Sequence, residues 1–167
     1  MADKDFIDGL RNIEFLEDIE DEYVELLATV SERVSFDEAA VIFREGDPAE
    51  SVFLISSGSV SLEVCAPALG CRRILTIEAG NLLGWSPVLG QSRFTSTART
   101  LSATEAYKIS ASQILMLCEH DPRFGFAFMR RAALGLAKRL RAARLQVLDV
   151  FGGETSIGAQ ATNESTQ

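Results

Sequence analysis

Between Phe15 and Val30 the residues Phe15, Leu16, Ile19, Tyr23, Leu26, Leu27 and Val30 recur at intervals of about three and four positions. That is the period of a helix with one buried face, and it predicts an N-terminal helix over residues 15–30. From about Val34 to Ile109 the period shortens. AAVIF, SVFLIS, SVSLEV, RRILTI, FTSTART and EAYKI are short apolar alternations separated by Gly, Asp and Pro. Several short strands at this spacing predict an antiparallel sandwich or barrel. The breaks have turn chemistry: Glu45-Gly46-Asp47-Pro48-Ala49 and Ser56-Ser57-Gly58-Ser59 supply positive-φ glycines and a φ-locked proline where hairpins reverse. In GNLLGWSPVLG, residues 80–90, Ser86 suits a helix N-cap, Pro87 the first helical position and Gly90 the residue after the last. This stretch reads as a turn leading into one helical turn.

After Ile109 the helical period returns. Ser110 is positioned to cap a short helix through about Cys118, and Asp121-Pro122 to open a long one reaching about Val150. Along the long helix Phe124, Phe128, Ala132, Leu136, Leu140, Ala143 and Val147 form one stripe, with Arg123, Arg130, Lys138, Arg141 and Arg144 opposite. Gly152-Gly153 is expected to end it, and the polar, small-residue sequence that follows is expected to be disordered. The predicted organisation is an acidic N-terminal arm (1–14), a β-rich domain with its long helix (15–151), and a tail (152–167).

Composition narrows the class without changing this picture. The 167 residues are 47% hydrophobic and 24% charged, enough for one domain with a single core that folds without staples. The net charge of -8 hides two poles, a strongly acidic first 22 residues and a late segment carrying Arg123, Arg130, Arg131, Lys138, Arg139, Arg141 and Arg144. The acidic total argues against nucleic acid, so the basic face is expected to be solvated or paired with the acidic N-terminal helix. Cys65, Cys71 and Cys118 are an odd count with no CxxC pattern, and His120 is the single histidine, so neither a disulfide nor a metal site is expected. No signal-like segment and no run of eighteen apolar residues occurs, which predicts a cytoplasmic protein without a membrane span. No Ser/His/Asp set, carboxylate pair or phosphate loop is visible, so no enzymatic activity and no cofactor is expected.

Two stretches resemble a known family. REGDPAESVFLISSGSVSLEV (44–64) is similar to the β-roll signature of the effector domain of the catabolite activator and Fnr-type regulators. GNLLGW occupies the place of that family's G-x-x-x-G-E phosphate-binding cassette. The order of helix, about eight strands and two helices fits as well, and the resemblance covers residues 15–151. It implies a mainly β domain with flanking helices: a double-stranded antiparallel β-roll, a cupin-like jelly roll, with an N-terminal helix and a long C-terminal helix. It also implies a homodimer through that last helix, at Phe128, Ala132, Leu136, Leu140 and Ala143. The family's helix-turn-helix domain would begin about where this chain ends, so no DNA-binding domain is expected in it.

In relatives that bind cyclic nucleotides, a Glu after the cassette glycine holds the ribose and a following Arg pairs with the phosphate. Here Gly84 matches, but the Glu position is Trp85, whose indole can only donate. The Arg position falls on Phe94 or, with a one-residue gap, on Arg93; strand parity favours Phe94, which shares a face with Ser96 and Ala98. The pocket is expected from Leu83, Gly84, Trp85, Ser86, Arg93, Phe94 and Thr95, with Trp85 lining the hollow of the roll as plug or stacking platform. The implied function is a non-catalytic sensor module with a remodelled pocket, acting through an unidentified small effector or protein partner. Two alternatives stand beside it: a cyclic nucleotide receptor using Arg93 for the phosphate, and a ligand-free interaction scaffold.

Overall fold

The computed structural model describes residues 3–158. Eight strands, β1 (Ser31–Phe36), β2 (Val41–Phe43), β3 (Ser51–Ser57), β4 (Ser59–Ala66), β5 (Gly70–Glu78), β6 (Leu82–Leu83), β7 (Thr97–Thr100) and β8 (Thr104–Ser110), form two antiparallel four-stranded sheets. The orders are β1-β8-β3-β6 and β2-β7-β4-β5, so chain neighbours repeatedly cross between sheets. This is the double-stranded β-roll that the resemblance implied.

Two apolar layers follow from strand parity. Phe43, Phe53, Ile55, Val60, Leu62, Leu83, Phe94 and Ala106 fill the space inside the roll. The alternate residues Val52, Leu54, Tyr107 and Ile109 point the other way, into a helical layer. A strand buried on both faces loses its polar alternation, which is why VFLI in β3 reads as a continuous apolar run. The helical layer is built from α1 (Lys4–Arg11), a 3₁₀ turn (Glu14–Leu16), α2 (Asp21–Thr29), α3 (Ala111–His120) and α4 (Pro122–Gly158). Phe124 and Phe128 of α4 are sealed within it, each contributing roughly 2–3 kcal/mol of burial. Asp121 caps α4 as expected, accepting from the Arg123 and Phe124 amides at 2.9 and 3.4 Å.

Several expectations are corrected. The single helix over 15–30 is two pieces, the 3₁₀ turn and α2, with a break between Leu16 and Asp21, and tertiary partners hold the first piece from outside. Arg131 of α4 donates to the Glu14 and Phe15 carbonyls at 2.6 and 2.9 Å, and the Phe15 amide donates to Gly80 at 2.9 Å. Leu26, expected on the buried face, is largely exposed. Residues 4–11 are not an arm but a helix docked on the roll: Leu10 is fully buried, and Gly9 passes so close to Tyr107 that a Cβ there would meet its hydroxyl. Of the late basic residues, Arg131 pairs with Asp18 at 3.3 Å, while Arg11, inside the acidic segment, pairs with Asp8 and Asp21 at 2.9 and 2.8 Å.

The glycine pair does not end α4, which continues to Gly158; of the expected tail, residues 159–167 lie outside the described residues. Two glycines cost a helix about 2 kcal/mol in propensity but remove no hydrogen bond. The cysteine reading is also corrected: Cys65 and Cys71 face each other across the β4–β5 hairpin and are joined by a disulfide. The odd count concealed a pair that only the hairpin register brings together. The long stripe of α4 divides as well. Phe128 and Ala132, expected at a dimer seam, are buried against their own chain, and Leu136 is packed beside them. Leu140 and Ala143 remain exposed.

Candidate functional site

The cassette begins with β6, where Leu82 faces the helical layer and Leu83 the inside of the roll. Strand parity would send Trp85 inward beside Leu83. Gly84 prevents this. Its φ of +85° is open to glycine at no steric cost, and a Cβ there would stand 3.4 Å from both the Phe94 ring and the Ser51 carbonyl. The left-handed residue reverses the side of the chain, and Trp85 emerges toward the helices. A 3₁₀ turn at Ser86–Leu89 follows, with Pro87 near its start and Gly90 closing it at φ +79°. Trp85, not Ser86, holds the N-cap position, and no side chain caps the turn.

The indole is 6% exposed and lies between this turn and α4. Its ring centroid is 5.6 Å from that of Phe15, and the Arg139 guanidinium lies 5.6 Å from its centre. Gly135 gives the ring room: a Cβ there would be 3.4 Å from Cζ2. Trp85 therefore does not fill the hollow of the roll. Phe94 does, stacked on Phe43 with centroids 3.7 Å apart and planes 11° from parallel. The parity argument for Phe94 agrees with this position.

A cavity of about 220 Å³ remains between the cassette turn, the Gln91–Ser96 segment and α4. Of the expected pocket residues, Gly84, Trp85, Ser86, Phe94 and Thr95 line it. Leu83 is sealed in the roll core behind it. Arg93 is exposed and committed elsewhere: its guanidinium donates to the Gly46 carbonyl at 2.6 Å and its backbone bridges to Pro48. Phe43, Leu62, Leu89, Gln91, Ser96, Leu136 and Arg139 complete the lining.

Arg139 was not singled out from the sequence, yet a signal was present. Phe124, Phe128, Ala132, Gly135, Arg139 and Ala142 continue the three- and four-residue spacing of the face that α4 turns to its own domain. Arg139 donates to the Leu82 carbonyl and lies over the Trp85 face, a cation–π arrangement. Among the described residues it forms no ion pair. Burial alone pulls its pKa down to about 10, because the charged form loses hydration without a carboxylate to replace it. The Trp85 Nε1–H is buried and has no hydrogen-bond partner among the described residues. On the other side of the Trp85–Arg139 pair, a second cavity of about 180 Å³ lies between β5 and α4, bordered by Glu78 and Lys138.

Similarity to known proteins agrees with the architecture. A putative cyclic nucleotide-binding protein of Geobacter metallireducens superposes with a TM-score of 0.71 at 25% identity, over 80% of this chain and 96% of that one. The catabolite activator protein of Thermus thermophilus shares the fold, with a TM-score of 0.66 at 24% identity over 83% of this chain and 63% of that one. An uncharacterised NTE family protein of Mycobacterium tuberculosis is 28% identical over 136 residues, 81% of this chain but 22% of the relative. The chain thus spans about a fifth of the length of the curated relatives it matches. Residues 33–121, more than half of the sequence, match the family described as the cyclic nucleotide-binding domain. By this match, and by the two-sheet roll with its cassette turn and long last helix, the chain belongs to the cyclic nucleotide-binding domain family, with the architecture of the catabolite activator and Fnr-type regulators.

Proposed function

We propose that this chain is a non-catalytic regulatory module whose effector pocket no longer suits a cyclic nucleotide and responds to a different small ligand. The observation that carries the reading is the Phe43–Phe94 stack, which occupies the inside of the roll where the resemblance would put a phosphate-binding arginine. Trp85 in the ribose-binding position adds to it, since an indole offers no acceptor. Losing one charge-assisted hydrogen bond costs about 1.5–3 kcal/mol, and losing two weakens binding by several decades. A receptor that recruits Arg93 is less well supported, because that guanidinium is held at Gly46.

The module is a homodimer in this proposal, through the outer face of α4. Phe126, Ala133, Leu140 and Val147 lie on that face at seven-residue intervals, and Phe126, Leu140 and Val147 are 73%, 64% and 54% exposed. Its output passes to a larger assembly, in keeping with a Mycobacterium relative in which the matching region is 22% of the chain. Calorimetry with cyclic AMP and cyclic GMP tests the central claim. No saturable heat is expected, and a dissociation constant at or below about 1 μM would refute it.

A further inference from the structure

We propose that the cavity between the cassette turn and α4 is a site for a small aromatic carboxylate, with Arg139 as its anion anchor; this rests on the pocket being a ligand site at all. Four observations converge on that chemistry. The first is charge. Arg139 is the sole ionisable side chain among the residues lining this cavity, and no carboxylate of the described residues pairs with it. Its single hydrogen bond, to the Leu82 carbonyl, leaves most of a five-donor guanidinium available to a planar anion. The neighbouring cavity of about 180 Å³ is the poorer candidate, because Glu78 borders it.

The second observation is the orphan donor. Trp85 is 6% exposed, lines the same cavity, and its Nε1–H has no partner. A buried donor left unpaired costs free energy; the Nε1 atom is itself closed off from the cavity, so an acceptor recovers that cost only where the ring shifts to admit it. The third is the wall. Phe43, Phe94 and Trp85 give three ring surfaces, and Leu62 and Leu136 close the remainder, which suits an apolar or aromatic body. The fourth is volume. A space of about 220 Å³ exceeds the ~150 Å³ that holds a benzene ring in an engineered cavity, yet falls below the ~300 Å³ at which drug-sized sites begin. One ring with a carboxylate fits these limits. A nucleotide exceeds them.

The anchor is also placed to transmit binding. Arg139 belongs to α4, whereas the aromatic walls belong to the roll, so an anion that engages both ties the helix to the roll. The chain's single tryptophan is Trp85, so its intrinsic fluorescence reports on this site.

Benzoate, its neutral analogue benzamide, and cyclic AMP are titrated in parallel into the full chain, followed by fluorescence and by calorimetry. Saturable benzoate binding with a dissociation constant below about 1 mM is expected, with benzamide at least tenfold weaker and Arg139→Gln at least tenfold weaker for benzoate. The ligand comparison needs no variant, so it decides the matter even if Arg139→Gln fails to fold. Equal binding of benzoate and benzamide, or unchanged benzoate binding by a folded Arg139→Gln, overturns the anion site and leaves the small-ligand module standing. Micromolar cyclic AMP binding overturns both. Silence from all three overturns the site and favours the interaction scaffold.

Discussion

Replacing Trp85 by Ala tests how the cassette is joined to the long helix. The ring is 6% exposed and wedged among Phe15, Gly135 and Arg139. Truncation of a buried Phe or Trp costs about 3–5 kcal/mol from lost transfer energy and the cavity left behind. The cation–π contact with Arg139 adds about 0.5–1 kcal/mol to that loss. Two local features pull the other way. The indole N–H is already unpaired, so its removal recovers about 1 kcal/mol of desolvation. The ring also borders cavities of about 220 and 180 Å³, so fewer atoms lose a partner than in a solid core. The balance is a destabilisation of about 2–4 kcal/mol, a large share of the 5–15 kcal/mol typical of a domain. Urea unfolding followed by far-ultraviolet circular dichroism measures it, since the mutation removes the fluorophore. Trp85→Phe keeps most of the ring and discards the unpaired donor, and is expected within about 1 kcal/mol of the unmutated chain. A loss under about 0.5 kcal/mol for Trp85→Ala, or equal losses for the two variants, would refute the account of a buried ring with an idle donor.

Leu140→Asp with Val147→Asp is expected to convert a micromolar dimer to monomer in sedimentation while changing protomer stability by less than about 0.5 kcal/mol, since both side chains are more than half exposed; a monomeric unmutated chain would defeat the proposed seam. Reducing the Cys65–Cys71 bridge, or replacing both cysteines by Ser, should lower stability by about 2 kcal/mol, the chain-entropy value for so short a loop; an unfolding midpoint unmoved by reductant would contradict this. Asp121 titrates below the ordinary carboxylate range, chiefly because the Tyr23 hydroxyl donates to it at 2.8 Å, with the Arg123 and Phe124 amides adding to this. A depressed folded-state pKa means stability that is present above about pH 4 and lost as pH falls through the folded value. Asp121→Asn, which still caps α4, should flatten the acid side of a stability–pH profile, and an unchanged slope would count against the Tyr23–Asp121 pair.

What could be read from the one-dimensional pattern was whatever depends on local periodicity and local stereochemistry. The change from helical to alternating spacing near Val34, its return after Ile109, the Asp121-Pro122 helix start and the glycine at position 90 each depend on a few neighbouring residues. Parity put Phe94 on the face of Ser96 and Ala98, and its ring does pack with Ala98 in the roll core, although Phe94 stands outside β7. Elsewhere the competition between local and distant partners decided. Residues 15–30 have a helical period, but the helix breaks between Leu16 and Asp21, and Arg131, more than a hundred positions away, anchors the Glu14 and Phe15 carbonyls of the first piece. Cys65 and Cys71 look unrelated until the hairpin sets them opposite each other. Trp85 was expected to face the hollow of the roll because the resemblance puts the cassette corner there, and the left-handed glycine before it sends the ring to the helices instead. Arg139 shows the limit most plainly. Its spacing from Phe124 and Phe128 was in the sequence, yet an arginine on a helix is ordinarily solvated. Only the packing of α4 over the cassette turns that charge inward and leaves it without an ion-pair partner among the described residues, because desolvation arises from what surrounds a group in space and leaves no mark on the order of residues along the chain.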